Sequence, residues 1–429
     1  MKEVVIVSGT RTPIGSFGGS LKNVSAVDLG SLVIGDALRK VKLRPHPDKQ
    51  TLENGPNTLK NLEKTELEIR YDNWDQNHSP VHVDEVIMGN VLQAGLGQNP
   101  ARQSTIRSGL NFETPAFTMN KVCGSGLKAI ALAASSIMTG ESEVVVAGGQ
   151  ESMSNTPMAL SKARWGHRME LTGVGDIHDL MVFDGLYEIF YGYHMGVTAE
   201  NIAKMYDISR QAQDELAVLS HKRARTAIEN GIFAEEISAV TIPHRKGDIV
   251  VDTDERPMET SLEKMAKLRP AFDRDGTVTA GNASGINDGA AAVVLMSRDK
   301  AKQLGLTPLA KISTWASGGL DPAYMGLGPV PAIRKILALK KMSISDIEMI
   351  ELNEAFASQA IGCMRELGID TEKPNQLGSG ISLGHPIGCT GARQMVTAIH
   401  QMQRHDYANG LISMCIGGGM GMAMLIERI

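Results

Sequence analysis

The sequence predicts an α/β protein in which one βα unit occurs twice, and two observations support this prediction. Short β-branched runs alternate with stretches of helical period, which is typical of buried strands joined by helices. The last third of the chain then repeats the element order of the first third. In each copy a Gly-rich turn opens a helix and a Gly-rich segment closes the following strand. We therefore expect two diverged halves on either side of a different middle segment.

The first copy contains three predicted strands and one predicted helix. The strands are expected at residues 3–8, 83–91 and 143–147, and the helix at residues 127–138, whose apolar side chains fall on one face. Residues 40–82 have four prolines, mixed charges and little periodicity, so they predict a long surface loop. A contact between subunits is the rival interpretation of that segment.

The second copy has strands predicted at residues 310–315, 347–351 and 411–415. Its helices are predicted at residues 331–339 and 392–402. The segment 155–285 differs from both copies in its sequence pattern. It contains polar helices such as residues 209–230 and irregular Gly- and Asp-containing stretches. The predicted domains are therefore 1–154, completed by about 286–308, then an inserted domain at 155–285, and 309–429.

Length and composition limit the class of protein. A chain of 429 residues is expected to form two or three domains. A net charge of −5 and 4% aromatic residues give no support for binding to nucleic acid or to an anionic membrane. The N-terminal sequence predicts no export signal and no transmembrane span. Four scattered cysteines favour reduced thiols, so we predict a cytoplasmic protein.

Cys123, in the stretch NKVCGSGLKA, precedes the predicted 127–138 helix. Unpaired N–H groups at a helix N-terminus are expected to lower the pKa of a cysteine and so favour the nucleophilic thiolate. The flanking glycines leave the N–H of Cys123 accessible to a developing oxyanion. A small buried cysteine in a Gly-rich turn explains this stretch equally well.

His385 and Cys415 lie at ends of second-copy elements that match the position of Cys123. His385 stands on a turn between a glycine and a proline, where it could accept a proton from a thiol. Cys415 ends a strand and precedes three glycines, so it could act as an acid or base beside the N–H of Gly417. Each residue alone is better explained as structural. The repeat favours a shared catalytic site.

Other candidate residues are less specific. Asn353 could orient a water or a carbonyl oxygen, or cap a helix, and Glu354 could support it or stand as an acid in a first helical turn. Cys363 and Cys389 are expected to pack in the core. No metal site is predicted, because the sequence has no C-x-x-C pair and no H-E-x-x-H motif. No Walker-type loop or helix-opening G-x-G-x-x-G is present either.

Six stretches together resemble the thiolase family, and within it most closely the bacterial biosynthetic acetoacetyl-CoA thiolases. They are, in order, NKVCGSGLKA, HMGVTAENIA, TAGNASGINDGAA, NEAFA, GHPIGCTGAR and CIGGGMG. The resemblance covers nearly the whole chain apart from residues 40–82. It implies two βαβαβαββ halves in a five-layered αβαβα core, with an inserted loop domain that binds CoA.

The resemblance also implies the activity and the assembly. The expected reaction is reversible Claisen condensation of two acetyl-CoA to acetoacetyl-CoA and CoA, by ping-pong transfer through an acyl-cysteine. Coenzyme A thioesters are then substrates and no cofactor is expected. Members of the family are commonly dimers or tetramers, so the resemblance predicts a homotetramer.

The resemblance assigns a role to each matching residue. Cys123 would be acylated, His385 would activate it, and Cys415 would exchange a proton with the α-carbon of the second acetyl-CoA. Asn353, through a water, and His385 would line one oxyanion site, while the N–H groups of Cys123 and Gly417 line the other. The implied substrate-binding residues are Ser284 and Ala280 at pantetheine, Met195 at the acyl group, and Arg256 at the adenine and phosphate end.

Two stretches depart from the family pattern. Residues 375–386 read NQLGSGISLGHP where NVNGGAIALGHP is usual, which affects packing ahead of His385. Residues 254–268 are about one residue short of the usual pattern, which weakens the assignment of Arg256. The 40–82 segment replaces a connector that is normally short.

Three rival functions remain open from the sequence. A degradative 3-ketoacyl-CoA thiolase with a broader chain-length range depends on the pocket around Met195. A decarboxylating condensing enzyme would not need Cys415, and a silent CoA-binding or scaffold protein would not need the Cys/His/Cys set. We also hypothesise that oxidation joins Cys123 to Cys415 and inactivates the enzyme reversibly.

Overall fold

A mixed sheet runs through the computed structural model, which describes residues 1–60, 63–169 and 175–429. Its long strands are β1 Val4–Arg11, β2 Glu85–Gly89, β3 Ala116–Met119, β4 Val144–Ser152, β5 Asn287–Ser297, β6 Ala310–Gly319, β7 Met349–Leu352, β8 Asn409–Ile416 and β9 Met420–Glu427. Their order across the sheet is β7-β8-β9-β6-β1-β5-β4-β2-β3. The two halves meet where β1 pairs with β6, through Val5 with Lys311 and Ile6 with Ala310.

The long helices cover the sheet and fill the space between the halves. They are α1 Ala26–Arg39, α2 Pro100–Arg107, α3 Ser125–Thr139, α4 Met195–Met205, α5 Arg210–Glu229, α6 Pro329–Lys340, α7 Ala357–Leu367 and α8 Thr390–His405. The corresponding helices α3 and α8 pack together in one apolar cluster. Their glycines permit this approach, because a Cβ on Gly126 would lie 2.9 Å from the backbone N of Ala392. A Cβ on Gly391 would lie 2.5 Å from the backbone N of Leu127.

The second half lacks one strand of the expected βαβαβαββ order within the described residues. Between α7 and α8 the chain runs through turns, where the first half has β3 between α2 and α3. Asn375 supplies the edge pairing that a strand would give. Its Oδ1 accepts from the N–H of Leu352 at 2.9 Å, and its Nδ2 donates to the carbonyl of Leu352 at 2.7 Å. The departure from the family pattern in residues 375–386 coincides with this turn segment.

The strand predicted at residues 143–147 does not end at its glycines. In the structure, β4 continues to Ser152, so Gly148 and Gly149 lie inside it. A Cβ on Gly148 would lie 2.0 Å from the carbonyl oxygen of Ala291, and one on Gly149 would lie 2.1 Å from that of Gly388. These glycines therefore admit close neighbours rather than close the strand, and that part of the prediction is wrong.

The prediction of a loop at residues 40–82 is wrong in part. The described residues include helices Lys49–Asn54 and Glu66–Tyr71, and strand Leu43–Pro45 pairs with Ser79–Val81. Trp74 packs into the core of the first half, and its Nε1 donates to the carbonyl of Gly109 at 2.8 Å. Residues 61–62 lie outside the described residues.

The 155–285 segment contains α4, α5 and several short elements. These are strands Met158–Ala159, His178–Asp179, Tyr187–Glu188, Tyr193–His194, Val240–Ile242 and Ile249–Val251, and helices Leu180–Gly185 and Leu262–Ala266.

The stretch Val122–Thr139 is long and apolar enough to cross a membrane by length and composition. Its apolar side chains, such as Leu127 and Ile130, are instead buried in the core around α3.

Candidate active site

A cavity of about 520 Å³ opens beside the loop that follows residue 279. Four of the residues assigned by resemblance line it, namely Arg256, Ala280, Ser284 and His385. Most of the remaining wall is apolar, with Met153, Leu186, Phe272, Ala283, Ile286, Phe356 and Ile387. An apolar cavity with a few polar groups is the usual form of a small-molecule site.

Cys123 sits on a strained turn two residues before α3. Val122, directly before it, has φ of 47°, which a β-branched residue rarely adopts. Side chains hold the turn, because Asn120 Oδ1 accepts from the N–H of Val122 at 2.8 Å and Ser125 Oγ donates to the carbonyl of Val122 at 2.6 Å. The turn thereby fixes the position of the Cys123 side chain.

The Cys123 thiol is protonated in the resting site. Burial raises the pKa of Cys123 to about 11, and the backbone N–H groups of Gly417 and of Cys123 itself lower it by a smaller amount. The expectation that the helix N-terminus would lower this pKa is therefore wrong, because loss of solvent outweighs the nearby donors. The two N–H groups at the sulfur are those expected to line an oxyanion site. The thiol needs a base to become a nucleophile.

His385 is a neutral imidazole whose acceptor nitrogen is Nε2. Its Nδ1 lies 2.6 Å from Thr390 Oγ1, whose hydroxyl donates to the carbonyl of Pro386 at 3.0 Å. Because a hydroxyl has one proton, Thr390 must accept from Nδ1–H, so the lone pair is on Nε2. Burial, with a smaller effect of Arg393, lowers the pKa of His385 to about 3. The lowered pKa makes His385 neutral in the resting site with Nε2 as its acceptor, and the same burial makes the imidazole a weaker base.

Asn353 lies beside His385 and carries an unsatisfied acceptor. Its Nδ2 is 3.5 Å from both ring nitrogens of His385, and its buried Oδ1 has no hydrogen-bond partner among the described residues. It does not cap a helix, since α7 begins at Ala357. Glu354 is buried and accepts from Ser220 Oγ at 2.6 Å and Asn375 Nδ2 at 2.9 Å. It therefore supports the packing around Asn353 and is not an acid of a first helical turn.

Cys415 and Met195 lie behind the inner wall of the cavity. Cys415 is 1% exposed near the end of β8, and burial followed by the nearby Cys123 thiol raises its pKa well above the usual range. Both residues belong to one apolar cluster with Ala283 and Phe356 of the cavity wall. A Cβ on Gly417 would lie 2.9 Å from Met195 Cε, so the Met195 thioether packs directly on this turn.

Cys123 lies behind apolar residues of the cavity wall. It packs against an apolar cluster that includes Ile387 and Met153, both of which line the cavity. The interaction between the two thiols places Cys123 near Cys415. The structure thus brings Cys123 beside Cys415 and Gly417, and it brings Asn353 beside His385, which lines the cavity.

Ser284, Ala280 and Arg256 lie farther along the cavity wall. The N–H of Ser284 donates to the carbonyl of Ala355 at 2.9 Å. Arg256 donates from Nε to the carbonyl of Ile381 at 2.7 Å and from Nη2 to that of Ala283 at 3.0 Å. The guanidinium therefore joins two wall segments, and its binding to substrate stays a prediction.

Sequence reasoning missed three residues that shape the site. Thr390 orients His385, Asn287 Oδ1 accepts from the backbone N–H of His385 at 3.0 Å, and Ser125 holds the Cys123 turn. A hydroxyl in the helical turn after the histidine was the available signal for Thr390.

The remaining cysteines, Cys363 and Cys389, are buried in apolar clusters, as expected. Among the described residues, no group of three or more His, Cys, Asp or Glu could hold a metal ion.

Comparison with known proteins gives matches along nearly the entire chain. The family model described as thiolase, N-terminal domain, matches residues 4–50 and 75–299, and that described as thiolase, C-terminal domain, matches residues 306–428. An acetyl-CoA acetyltransferase of Escherichia coli (strain K12) is 51% identical and one of Cupriavidus necator 49% identical, each over 100% of both chains. The crystal structure of the Bacillus anthracis acetyl-CoA acetyltransferase superposes with a TM-score of 0.89 at 42% identity, covering 100% of this chain and 99% of that one.

Proposed function

This chain belongs to the thiolase family, and from that premise we propose that it condenses two acetyl-CoA reversibly to acetoacetyl-CoA and CoA. It is an acyltransferase whose substrates are acetyl-CoA and acetoacetyl-CoA. The observation that supports the mechanism is the pairing of a protonated thiol with a neutral base. The backbone N–H of Gly417 donates to the sulfur of Cys123, and His385 carries its acceptor lone pair on Nε2.

The first half-reaction acylates Cys123. His385 Nε2 accepts the thiol proton as the sulfur attacks the thioester carbonyl, and the N–H groups of Cys123 and Gly417 stabilise the oxyanion. The imidazolium then returns the proton to the departing sulfur of CoA. Acetyl-Cys123, free CoA and neutral His385 result.

The second half-reaction forms the carbon–carbon bond. Cys415 first gives its proton to the neutral His385. The resulting thiolate takes a proton from the α-carbon of the second acetyl-CoA, and the carbanion attacks the acetyl carbonyl on Cys123. The Cys123 sulfur leaves as a thiolate and recovers a proton from the His385 imidazolium, so both cysteines end as thiols and His385 as a neutral imidazole. Burial disfavours the charged form of Cys415, which makes the thiolate a stronger base when it forms. In this proposal Asn353 Nδ2 holds a water against the enolate oxygen.

Thiolysis of acetoacetyl-CoA by the wild type and by Cys123→Ala tests this assignment. We expect the wild type to consume acetoacetyl-CoA in the presence of CoA, and the alanine variant to lose the reaction. The Cys363→Ala variant is the control for removal of a buried thiol, because Cys363 lies in a separate apolar cluster and has no role in the proposed reaction. An active Cys123→Ala variant would rule out the nucleophile.

A degradative thiolase with a broader chain-length range is the alternative. The resemblance puts Met195 at the acyl group, and the packing of Met195 on Gly417 supports a short acyl group. Relative rates of thiolysis on C4 and C16 3-ketoacyl-CoA decide between the two. Faster turnover of the C16 substrate would establish the degradative alternative.

We further propose that the enzyme is a cytoplasmic homotetramer that requires no cofactor beyond its CoA thioester substrates. Family resemblance supports the assembly, as do the exposed apolar side chains Met158, Trp165 and Phe190 in the inserted segment. All four cysteines are free thiols, which suits a reducing compartment. Light scattering coupled to size exclusion, which gives the molar mass in solution, tests the assembly.

A further inference from the structure

Glu151 is a fully buried carboxylate near the end of β4 that accepts four hydrogen bonds from neutral groups. Oε1 accepts from Asn90 Nδ2 at 2.7 Å and from the N–H of Leu92 at 3.1 Å. Oε2 accepts from the N–H of Val91 at 3.0 Å and from the N–H of Gly388 at 2.8 Å. Each oxygen therefore satisfies two donors.

These donors come from both halves of the fold. Residues 90–92 follow β2 in the first half, whereas Gly388 lies three residues after His385 in the second half. The contact between the two segments is close, because a Cβ on Gly388 would lie 2.6 Å from Glu151 Oε2 and 3.0 Å from Asn90 Cα. Glu151 thus joins the loop that carries the base to a loop of the other half.

The joined loops also border the nucleophile. Val91, Leu92 and Ile387 form one buried apolar cluster, and Cys123 packs against it. The charge of Glu151 also acts on the Cys123 thiol and raises its pKa. The carboxylate is therefore part of the environment of both Cys123 and His385 without facing the substrate cavity.

We propose that Glu151 is a positioning residue for acyl transfer, whose carboxylate holds the His385 loop in place against Cys123. The inference rests on the proposed function, since it concerns the acylation of Cys123. Only the ionised form can accept at both oxygens from all four donors. Burial raises the pKa of Glu151 to about 7, while hydrogen bonds from Val91, Leu92 and Gly388 oppose that shift.

Glu151→Gln tests the proposal with little change in side-chain volume. The glutamine side chain has an NH₂ group where one carboxylate oxygen stood. The two donors that faced that oxygen then face an NH₂ group, which cannot accept from them. A displacement of about 1 Å between reacting groups can cost about 100-fold in rate, so we expect Cys123 acetylation to slow by about 10- to 100-fold. The rate is measured by rapid quench with acetyl-CoA, and the dissociation constant for CoA should change less than about threefold.

Asp84→Asn is the matched control at the opposite end of the same strands. Asp84 Oδ2 accepts from the backbone N–H of Glu143 at 2.9 Å and of Val144 at 2.8 Å, far along β4 from the site. We expect this variant to lower the melting temperature but to acetylate at the wild-type rate. If Glu151→Gln does not fold, Asn90→Ala removes one donor and should slow acetylation several-fold.

The outcomes separate this inference from the proposed function. If the wild type is not acetylated on Cys123, the proposed function fails. If the wild type is acetylated and folded Glu151→Gln reacts at the same rate, only the role of Glu151 is wrong. The role of Glu151 is also wrong if Asp84→Asn loses as much acetylation rate as Glu151→Gln, or if the affinity for CoA falls in parallel with that rate. If Glu151→Gln does not fold, acetylation by Asn90→Ala at the wild-type rate would overturn the role as well.

Discussion

Replacing Thr390 by valine should impair the base without removing it. The hydroxyl accepts Nδ1–H of His385 at 2.6 Å, and valine keeps the shape of the side chain but offers no acceptor. A buried donor without a partner costs about 1–3 kcal/mol. The alternative tautomer avoids that cost by moving the proton to Nε2, where it blocks acceptance of the Cys123 proton. Both consequences reduce the fraction of His385 that can accept the Cys123 proton at Nε2.

The magnitude follows from the same hydrogen bond. A cost of about 1–3 kcal/mol corresponds to about a 5- to 150-fold lower population of the competent tautomer, at about 1.4 kcal/mol for each tenfold change. We therefore expect Thr390→Val to acetylate Cys123 about 5- to 150-fold more slowly in a single turnover with acetyl-CoA. Thr390→Ser retains the hydroxyl and should remain close to the wild type.

Thr397→Val provides the control on the same helix. Thr397 is buried in α8, and its hydroxyl donates to Glu236 Oε1 at 3.1 Å, away from His385. Its loss should reduce the free energy of unfolding but leave the acetylation rate unchanged. If folded Thr390→Val acetylates as fast as the wild type, the assignment of the His385 tautomer is wrong.

Three further outcomes can be measured on the same protein. Cys415→Ala should still release one CoA as Cys123 is acetylated, but form acetoacetyl-CoA at least about 100-fold more slowly; equal condensation would remove Cys415 from the mechanism. Because the pKa of Cys123 is raised to about 11, the thiolate fraction grows with pH, and iodoacetamide should react about tenfold faster per pH unit up to pH 10. A plateau of the iodoacetamide rate below pH 9 would contradict the conclusion that burial raises the pKa of Cys123 more than the nearby N–H groups lower it. Peroxide should link the Cys123 and Cys415 peptides and abolish activity until dithiothreitol is added, whereas full activity with both thiols alkylatable would exclude the bridge.

The repeated units and their chemical residues could be predicted from the sequence because they depend on local patterns. Cysteine or histidine beside glycine at the start of an apolar helix marks an element end, and two such ends in matching positions indicate one site. The catalytic role of Cys123 was as probable as a structural one until His385 and Cys415 were considered with it. In the structure Cys123 lies near Cys415, and His385 lines a cavity whose wall residues pack against both thiols.

Long-range packing explains what the sequence could not provide. The pKa of Cys123 depends on burial by residues distant in the chain, which outweighs the helix N-terminus. Glu151 could not be connected to Gly388, since 237 positions separate them. In the 40–82 segment, by contrast, a signal was present. Thr65 and Glu68 form a capping box that starts a short helix, although the segment has little periodicity.

Trapping the acyl-enzyme tests the central claim most directly. The wild type is mixed briefly with acetyl-CoA, quenched in acid, digested and examined by mass spectrometry for an acetyl group on the peptide that contains Cys123. We predict one acetyl group at Cys123, removed by added CoA, and none in Cys123→Ala. An unmodified Cys123 during active turnover, or acetyl carried on another residue, would contradict covalent transfer through this thiol.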